Sequence, residues 1–354
     1  MAAEFSIPYL EAEALIAAMM RVDERDTQHP VLRFFPRQVH PGAKVKVREW
    51  TRKPGQVPHT SWGGKAQPVR RGTLKEREYS PAVIKLFDVL TREDLILFAA
   101  AARAAGANDV GPYAQAEIAA ANARIEEIAA VLRSDDTEER HRLCCEALLG
   151  TVNYRLDEQS FSVSYGLTSI STPSTQWNNV SATIVADMFA AIETFRENNA
   201  RGASPRQVFY NPKMYADYFV KNTEWATYKK QNPELAQGFL RIPGGRTETD
   251  MLGRFTDPLF GLEWIPVEGT YVDYAGASQN RWNPKKLVLA NMDEAMCEWG
   301  QTMDPLQTPN ADYNVEIGQP REGEDVKAHR VVLFDNGLPV IKYPDMIQPF
   351  AVQS

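Results

Sequence analysis

The clearest pattern along the chain is an apolar seam in its second hundred residues. Ile118, Ala121, Ile125, Ile128 and Leu132 recur at alternating threes and fours, the spacing of one helix face. Gly111-Pro112 supplies the start, because proline is preorganised for the first helical position, and Ser134-Asp135-Asp136 reads as the break. About twenty residues at roughly 1.5 Å each make a rod near 30 Å. Asp136 with Glu139 then opens a further helix that carries Leu143, Ala147 and Leu148 and stops at Gly150. Upstream, Thr91-Arg92-Glu93-Asp94 is a capping box for a helix ending near Gly106, and Pro81 to Leu90 is apolar and compact.

Strand patterns surround these helices. Thr151 to Leu156 and Ser160 to Tyr165 are strand-like, the second with plain period-two alternation. After a polar link at Ser171–Thr175, Ile184, Met188, Ile192 and Phe195 share one helix face that ends by Gly202. Pro205 to Tyr210 is a strand. Asn211-Pro212 caps an aromatic helix with Tyr215, Tyr218, Phe219, Trp225 and Tyr228. Leu262 to Val267, Tyr271-Val272 and Leu287 to Ala290 predict strands. Arg330 to Phe334 and Leu338 to Ile341, joined by Asn336-Gly337, form the strongest hairpin signal. Clustered strands and helices without βαβ alternation predict an α+β chain.

The N-terminal eighty residues differ. Leu10, Ala14, Ala17 and Ala18 give a weak stripe in an acidic arm, and His29-Pro30 forces extended chain. Beyond it, prolines and glycines punctuate short alternating pieces. Lys44-Val45-Lys46-Val47-Arg48 alternates as one strand of a ribbon would, with Val69, Thr73 and Leu74 available for its return. Such a ribbon has a thin core and needs something to lie on, since an isolated hairpin is marginal.

Charge sharpens this contrast. The chain of 354 residues carries −7 overall, yet residues 33–77 hold twelve Lys and Arg against Glu49 and Glu76. The segment is therefore +10 and the remainder −17. A basic ribbon on an acidic body suits docking onto copies of itself. Trp50 and Trp62 among these cations also keep open a nucleic-acid-binding reading of 33–77. With 44% apolar residues the chain can bury two or three cores. No stretch has the length of a membrane span, and the N-terminus lacks the regions of a signal peptide, so a cytoplasmic product is expected.

Candidate chemistry is thin. Ser61-Trp62-Gly63-Gly64-Lys65 echoes a phosphate loop but lacks its spacing. His29, His40, His59, His141 and His329 are scattered without a zinc pattern. The acidic pairs 126–127, 135–136 and 138–139 read as caps or solvated charges. Cys144-Cys145 reads as a pair of buried helical thiols, and no serine sits in a nucleophile elbow. No catalytic, cofactor-binding or metal residue is assigned.

The order of segments resembles the lambda-type major capsid protein E family, with the Hong Kong 97-type phage capsid fold. An N-terminal arm (1–34) precedes a basic hairpin similar to that family's E-loop (35–78). Glu78-Tyr79-Ser80-Pro81 then enters a segment similar to the peripheral domain (79–177), where the seam helix from Pro112 resembles the long spine helix. Residues 178–310 resemble the axial domain through Gly261-Leu262-Glu263-Trp264, Tyr271-Val272-Asp273 and Asn283 to Leu289. The closing segment (311–354), with Gly337-Leu338-Pro339-Val340, resembles the strands returning to the peripheral sheet.

The resemblance implies a non-enzymatic, cofactor-free head protein that self-assembles as pentamers and hexamers into an icosahedral shell around double-stranded DNA. It implies assembly in the host cytoplasm, a separate scaffolding protein, a portal and a decoration protein, with no sequence-specific DNA contact. Lys44, Lys46, Arg48, Arg52, Lys53, Arg70 and Arg71 are the expected intersubunit contacts of the E-loop. Ile118, Ile125, Ile128 and Leu132 are the expected spine-helix core. An encapsulin-like enzyme compartment is the alternative with the same fold.

Overall fold

A computed structural model describes residues 10, 15, 17–19, 29–40, 44–51, 73–79, 82–106, 111–156, 159–199, 201–219, 221–231, 255–257, 259–273, 276–302, 314–318 and 330–353. Its first half contains β1 (Arg37–His40), β2 (Val45–Thr51), β3 (Thr73–Tyr79), β4 (Ala82–Val89), α1 (Arg92–Gly106), α2 (Pro112–Leu148), β5 (Thr151–Leu156) and β6 (Gln159–Ser164). Then come α3 (Ile184–Asn198), β7 (Gln207–Tyr210), α4 (Thr223–Gln231), β8 (Phe255–Asp257), β9 (Leu262–Pro266), β10 (Thr270–Val272) and β11 (Ser278–Asn280). The last are β12 (Lys286–Ala290), β13 (Cys297–Thr302), β14 (Asn314–Gly318), β15 (Arg330–Ile341) and β16 (Ile347–Ala351).

Two five-stranded sheets organise these elements. In the first, β4 runs antiparallel along one side of β15, while β14 and β13 share the other, and β1 lies parallel to β13. The second has the order β16-β12-β7-β9-β8. The hairpins β2–β3, β5–β6 and β10–β11 stand apart as two-stranded units.

The expected break at Ser134-Asp135-Asp136 does not occur. α2 starts at the Gly111-Pro112 signal but continues for 37 residues to Leu148, a rod of about 55 Å. Asp136 is not a solvated cap. It is fully buried, and Arg37 Nη2 donates to its Oδ2 at 2.8 Å. A tertiary partner takes the carboxylate that would otherwise compete for the backbone, so the helix runs on.

The Asn336-Gly337 hairpin is also absent, because β15 is one uninterrupted twelve-residue strand. The glycine meets a packing demand. A Cβ at Gly337 would run into the indole of Trp299 on β13, so glycine is what lets that ring lie on the strand. Pro81 to Leu90 proves to be mostly strand β4. The aromatic helix is a single turn, Pro212–Met214, then a π-helical run to Phe219 before α4. The closing strand β16 pairs with β12 in the second sheet, where Pro349 can occupy an edge that needs no amide donor. In the arm, Leu10, Leu15, Ala18 and Met19 are buried and Ala17 is exposed; Ala14 lies outside the described residues.

One hydrophobic cluster joins the N-terminal half of α2 to the first sheet. Ala121, Ile125, Ile128 and Leu132 pack with Phe98 and Ala101 of α1 and with Val331 and Leu333 of β15, while Ile118 is only partly buried. The expected capping box forms: Asp94 N donates to Thr91 Oγ1, and Thr91 N donates to Asp94 Oδ2. Arg124 on α2 donates to Asp94 at 2.8 Å, which pins α1 to α2. A second cluster fills the other sheet, with Trp177, Phe195, Phe219, Trp225 and Trp264 among its largest side chains.

These contacts lie within one subunit. Ile125→Ala should therefore cost about 2–5 kcal/mol through lost burial and a residual cavity. Thermal melting and soluble yield should show a destabilised or insoluble subunit. A stable, soluble Ile125→Ala protein that fails to assemble would show instead that the seam serves a neighbour.

Candidate assembly interface

The segment from His29 to His40 enters as extended chain with a single 3-10 turn at Leu32–Phe34. Basic residues recur along it at 29, 33, 37 and 40, and each lies beside a carboxylate from another element. His29 Nε2 lies 3.7 Å from Glu138 of α2, and Arg33 Nη2 donates to Glu263 of β9 at 2.7 Å. Arg37 spans Asp136 of α2 at 2.8 Å and Asp335 of β15 at 3.2 Å. His40 Nε2 sits 2.7 Å from Glu298 of β13. The segment is thus a strap that ties the long helix to both sheets.

The middle of the strap crosses a buried polar cluster. Asp136 and Asp335 are both essentially inaccessible, and Arg133 and Arg140 are buried nearby. Trp299 Nε1 and Gln301 Nε2 donate to Asp335 Oδ1, and the Arg140 guanidinium lies 5.3 Å from the Trp299 ring centre. Burial, and next the Asp335 charge, push the Asp136 carboxyl up to about 7, against the pull of Arg37, Arg140 and Arg133.

The ribbon rises directly from this strap. Its base rests on the subunit's own core: Val45, Val47 and Tyr79 are buried, and Tyr79 stacks on Tyr165 at 5.7 Å. Gly300 of β13 leaves the room, since a Cβ there would come within 2.8 Å of Val340 and 3.2 Å of Val45. Lys44 and Lys46 alternate with the two valines and stay exposed. They converge on Glu78 of the partner strand at 3.4 and 3.1 Å, which holds the Glu78 carboxyl below its usual range, Lys46 more than Lys44. Arg48 lies in β2 opposite Glu76. Arg52, Lys53, Arg70 and Arg71 lie outside the described residues.

Among the described residues, no group of three His, Cys, Asp or Glu side chains could hold a metal ion, and no helix is long and apolar enough to cross a membrane. Cys144, Cys145 and Cys297 are buried, and burial pushes all three thiols up. What stands out is a braced body with a ribbon attached by its base.

A model of the family phage major capsid protein E matches residues 11–311. The chain belongs to this family. Its role is accordingly structural, as a subunit of a phage capsid shell. No curated protein matches it in sequence. A prophage protein of Escherichia coli CFT073 assigned to the capsid has a similar fold, with TM-score 0.58 at 12% identity over 97% of this chain and 99% of that one. The cyanophage A-1(L) capsid protein is similar at TM-score 0.48 and 13% identity, covering 99% and 96%. The SrpI encapsulin of Synechococcus elongatus PCC 7942 is similar at TM-score 0.47 and 10% identity, covering 99% and 92%. Together the family match and the prophage fold identify the architecture as that of Hong Kong 97-type capsid proteins.

For this capsid protein the strap residues went unread in the sequence. Their signal is present, as basic residues at nearly every fourth position from His29, but within the net charge of 33–77 it shows only as Arg33 and Arg37 among twelve bases. Arg37→Ala should leave two buried carboxylates without their shared cation and cost about 3–5 kcal/mol. Chemical denaturation of the purified subunit should show that loss at neutral pH. A change below about 1 kcal/mol would mean that Arg133 and Arg140 suffice to hold the pair.

Proposed function

We propose that the shell is built by passing the ribbon, the part of the expected 35–78 segment beyond the strap residue His40, from each braced subunit onto the acidic body of its neighbours. The carrying observation is the form of the ribbon. One side chain in two at its base is buried against its own subunit, and the intervening lysines are more than half exposed. The segment 33–77 carries +10 against −17 elsewhere, so copies of one chain are complementary to each other. Each exposed pair contributes about 0–1 kcal/mol, but the contact repeats in every copy. Residues 1–34 would form the arm; the expected 79–177 and 311–354 would form most of the peripheral part and 178–310 most of the axial part, except that β13 pairs within the first sheet and β16 within the second.

The wider assembly follows from this reading. Pentamers and hexamers would close an icosahedral shell of on the order of hundreds of copies. A separate scaffolding protein, a portal and a decoration protein would complete a head that encloses double-stranded DNA, assembled in the host cytoplasm. A net-negative body suits a lumen that does not grip its genome, and no sequence-specific contact is needed. The rival nucleic-acid reading of 33–77 loses force because Arg33 and Arg37 are engaged by the subunit's own carboxylates. An encapsulin-like compartment would reveal itself by a co-purifying cargo enzyme.

Reversing Arg52, Arg70 and Arg71 together to Glu tests the docking. Sedimentation of protein made with its scaffold should show shells for the unaltered chain and free subunits for the variant. Circular dichroism and melting of the variant subunit should stay nearly unchanged, because the described base of the ribbon rests on Val45, Val47 and Tyr79 and not on these positions. Normal shells from the variant would show that ribbon charge does not drive assembly.

A further inference from the structure

The His29 end of the strap lies over a second buried site on α2. His141 is fully buried on that helix, one turn beyond Glu138. The His29 ring meets it edge-on, with ring centres 4.9 Å apart. Glu138, the carboxylate beside this pair, is held by the Arg281 guanidinium from the segment before β12. Cys145 Sγ, on the next turn of α2, is 3.6 Å from His141 Nε2, and His141 Nδ1 has no hydrogen-bond partner. Arg142, the adjacent cation on α2, is engaged by Glu139 and Glu146. A proton added to His141 therefore finds a cation at Arg281, the imidazole of His29 and a neutral thiol, but no free carboxylate.

We propose that the His29–His141 contact is an acid-sensitive latch, which lets the His29 end of the strap lift from α2 in acid while the buried Val31, Leu32 and Phe35 and the Arg37 ion pairs keep the rest of the strap in place. The direction follows from the surroundings. Burial first, then His29 and Arg281, hold the His141 imidazole well below 6.5. A base so depressed supports the closed form above its unfolded value, about 6.5, and that support is lost as pH falls toward the folded value. The opposite end behaves oppositely. The raised Asp136 carboxyl burdens the closed form most above about 7, so acid relieves the Arg37 end while it strains the His29 end. The opening is hinged for this reason. Val31, Leu32 and Phe35 stay buried in the core beside it, which confines the movement to the His29 end.

Cys145 reports the opening, because its thiol is inaccessible when the strap is closed. The full-length protein is treated with a dithiodipyridine reagent, which attacks thiols in acid, and the modified cysteine is located by peptide mass spectrometry. Labelling of Cys145 should accelerate by up to about tenfold per pH unit below about 6.5, the limit for one proton taken up on opening. His141→Gln, neutral throughout, should remove that dependence. Arg281→Gln, which removes a cation facing His141 and leaves Glu138 to pair with the imidazolium, should make the closed form tolerate the proton and so reduce the total acceleration; it decides the matter if His141→Gln does not fold. A flat profile in the unaltered protein, an equal rise in His141→Gln, or an undiminished rise in Arg281→Gln would overturn the proposal.

Discussion

One guanidinium holds the architecture together. Arg37 lies between Asp136 of the long helix and Asp335 of the central strand, and neither carboxylate reaches water. Burying charges is expensive, and pairing offsets part of the expense; Asp136 Oδ1 accepts no hydrogen bond, and burial raises that carboxyl. Several features that look unrelated follow from the pairing that is made. The helix must pass unbroken through Asp136 to keep the carboxylate facing Arg37. Trp299 and Gln301 must donate to Asp335, which requires the indole to lie flat on β15. Gly337 must be glycine to admit that ring. A cluster of apolar residues of the same volume could be as stable, but it would not fix register and direction so narrowly.

The cluster also explains how a shell subunit can be both stiff and reaching. The strap fastens one end of the ribbon to α2 and both sheets, and Tyr79 with its Tyr165 stack fastens the other. A ribbon alone has too little core to be stable. Rooted at both strands, it is held at its base, and under the proposed docking its exposed cations would be a repeated weak contact that many copies sum. Stability would then be concentrated in the body and association in the extension, so each could change with little effect on the other.

Much of this was legible in the sequence, and the failures have a common cause. The capping box at Thr91 and the proline start at 112 are local signals and are found where local physics puts them, and of the seam Ile125, Ile128 and Leu132 are buried while Ile118 is only partly so. The order of segments pointed to the family, which the match over 11–311 establishes. The break at 134–136 and the turn at 336–337 were misread because Asp136 and Gly337 answer to partners far away in sequence, Arg37 and Trp299. An aspartate that caps a helix and one that anchors a buried ion pair look alike until the partner is known. The strap was overlooked for the same reason: a basic residue counts toward net charge wherever its carboxylate lies.

Hydrogen exchange measured on free subunits and on assembled shells tests the central claim most directly. The amides of Arg37–His40 and of α2 around Asp136 should be protected equally in both, because the strap and its cluster belong to the single subunit. The amides along β2 and β3 beyond Val47 and Arg77 should gain protection only in shells. Rapid exchange of the strap amides in the free subunit would contradict the account, since the brace would then be a product of assembly and not its precondition.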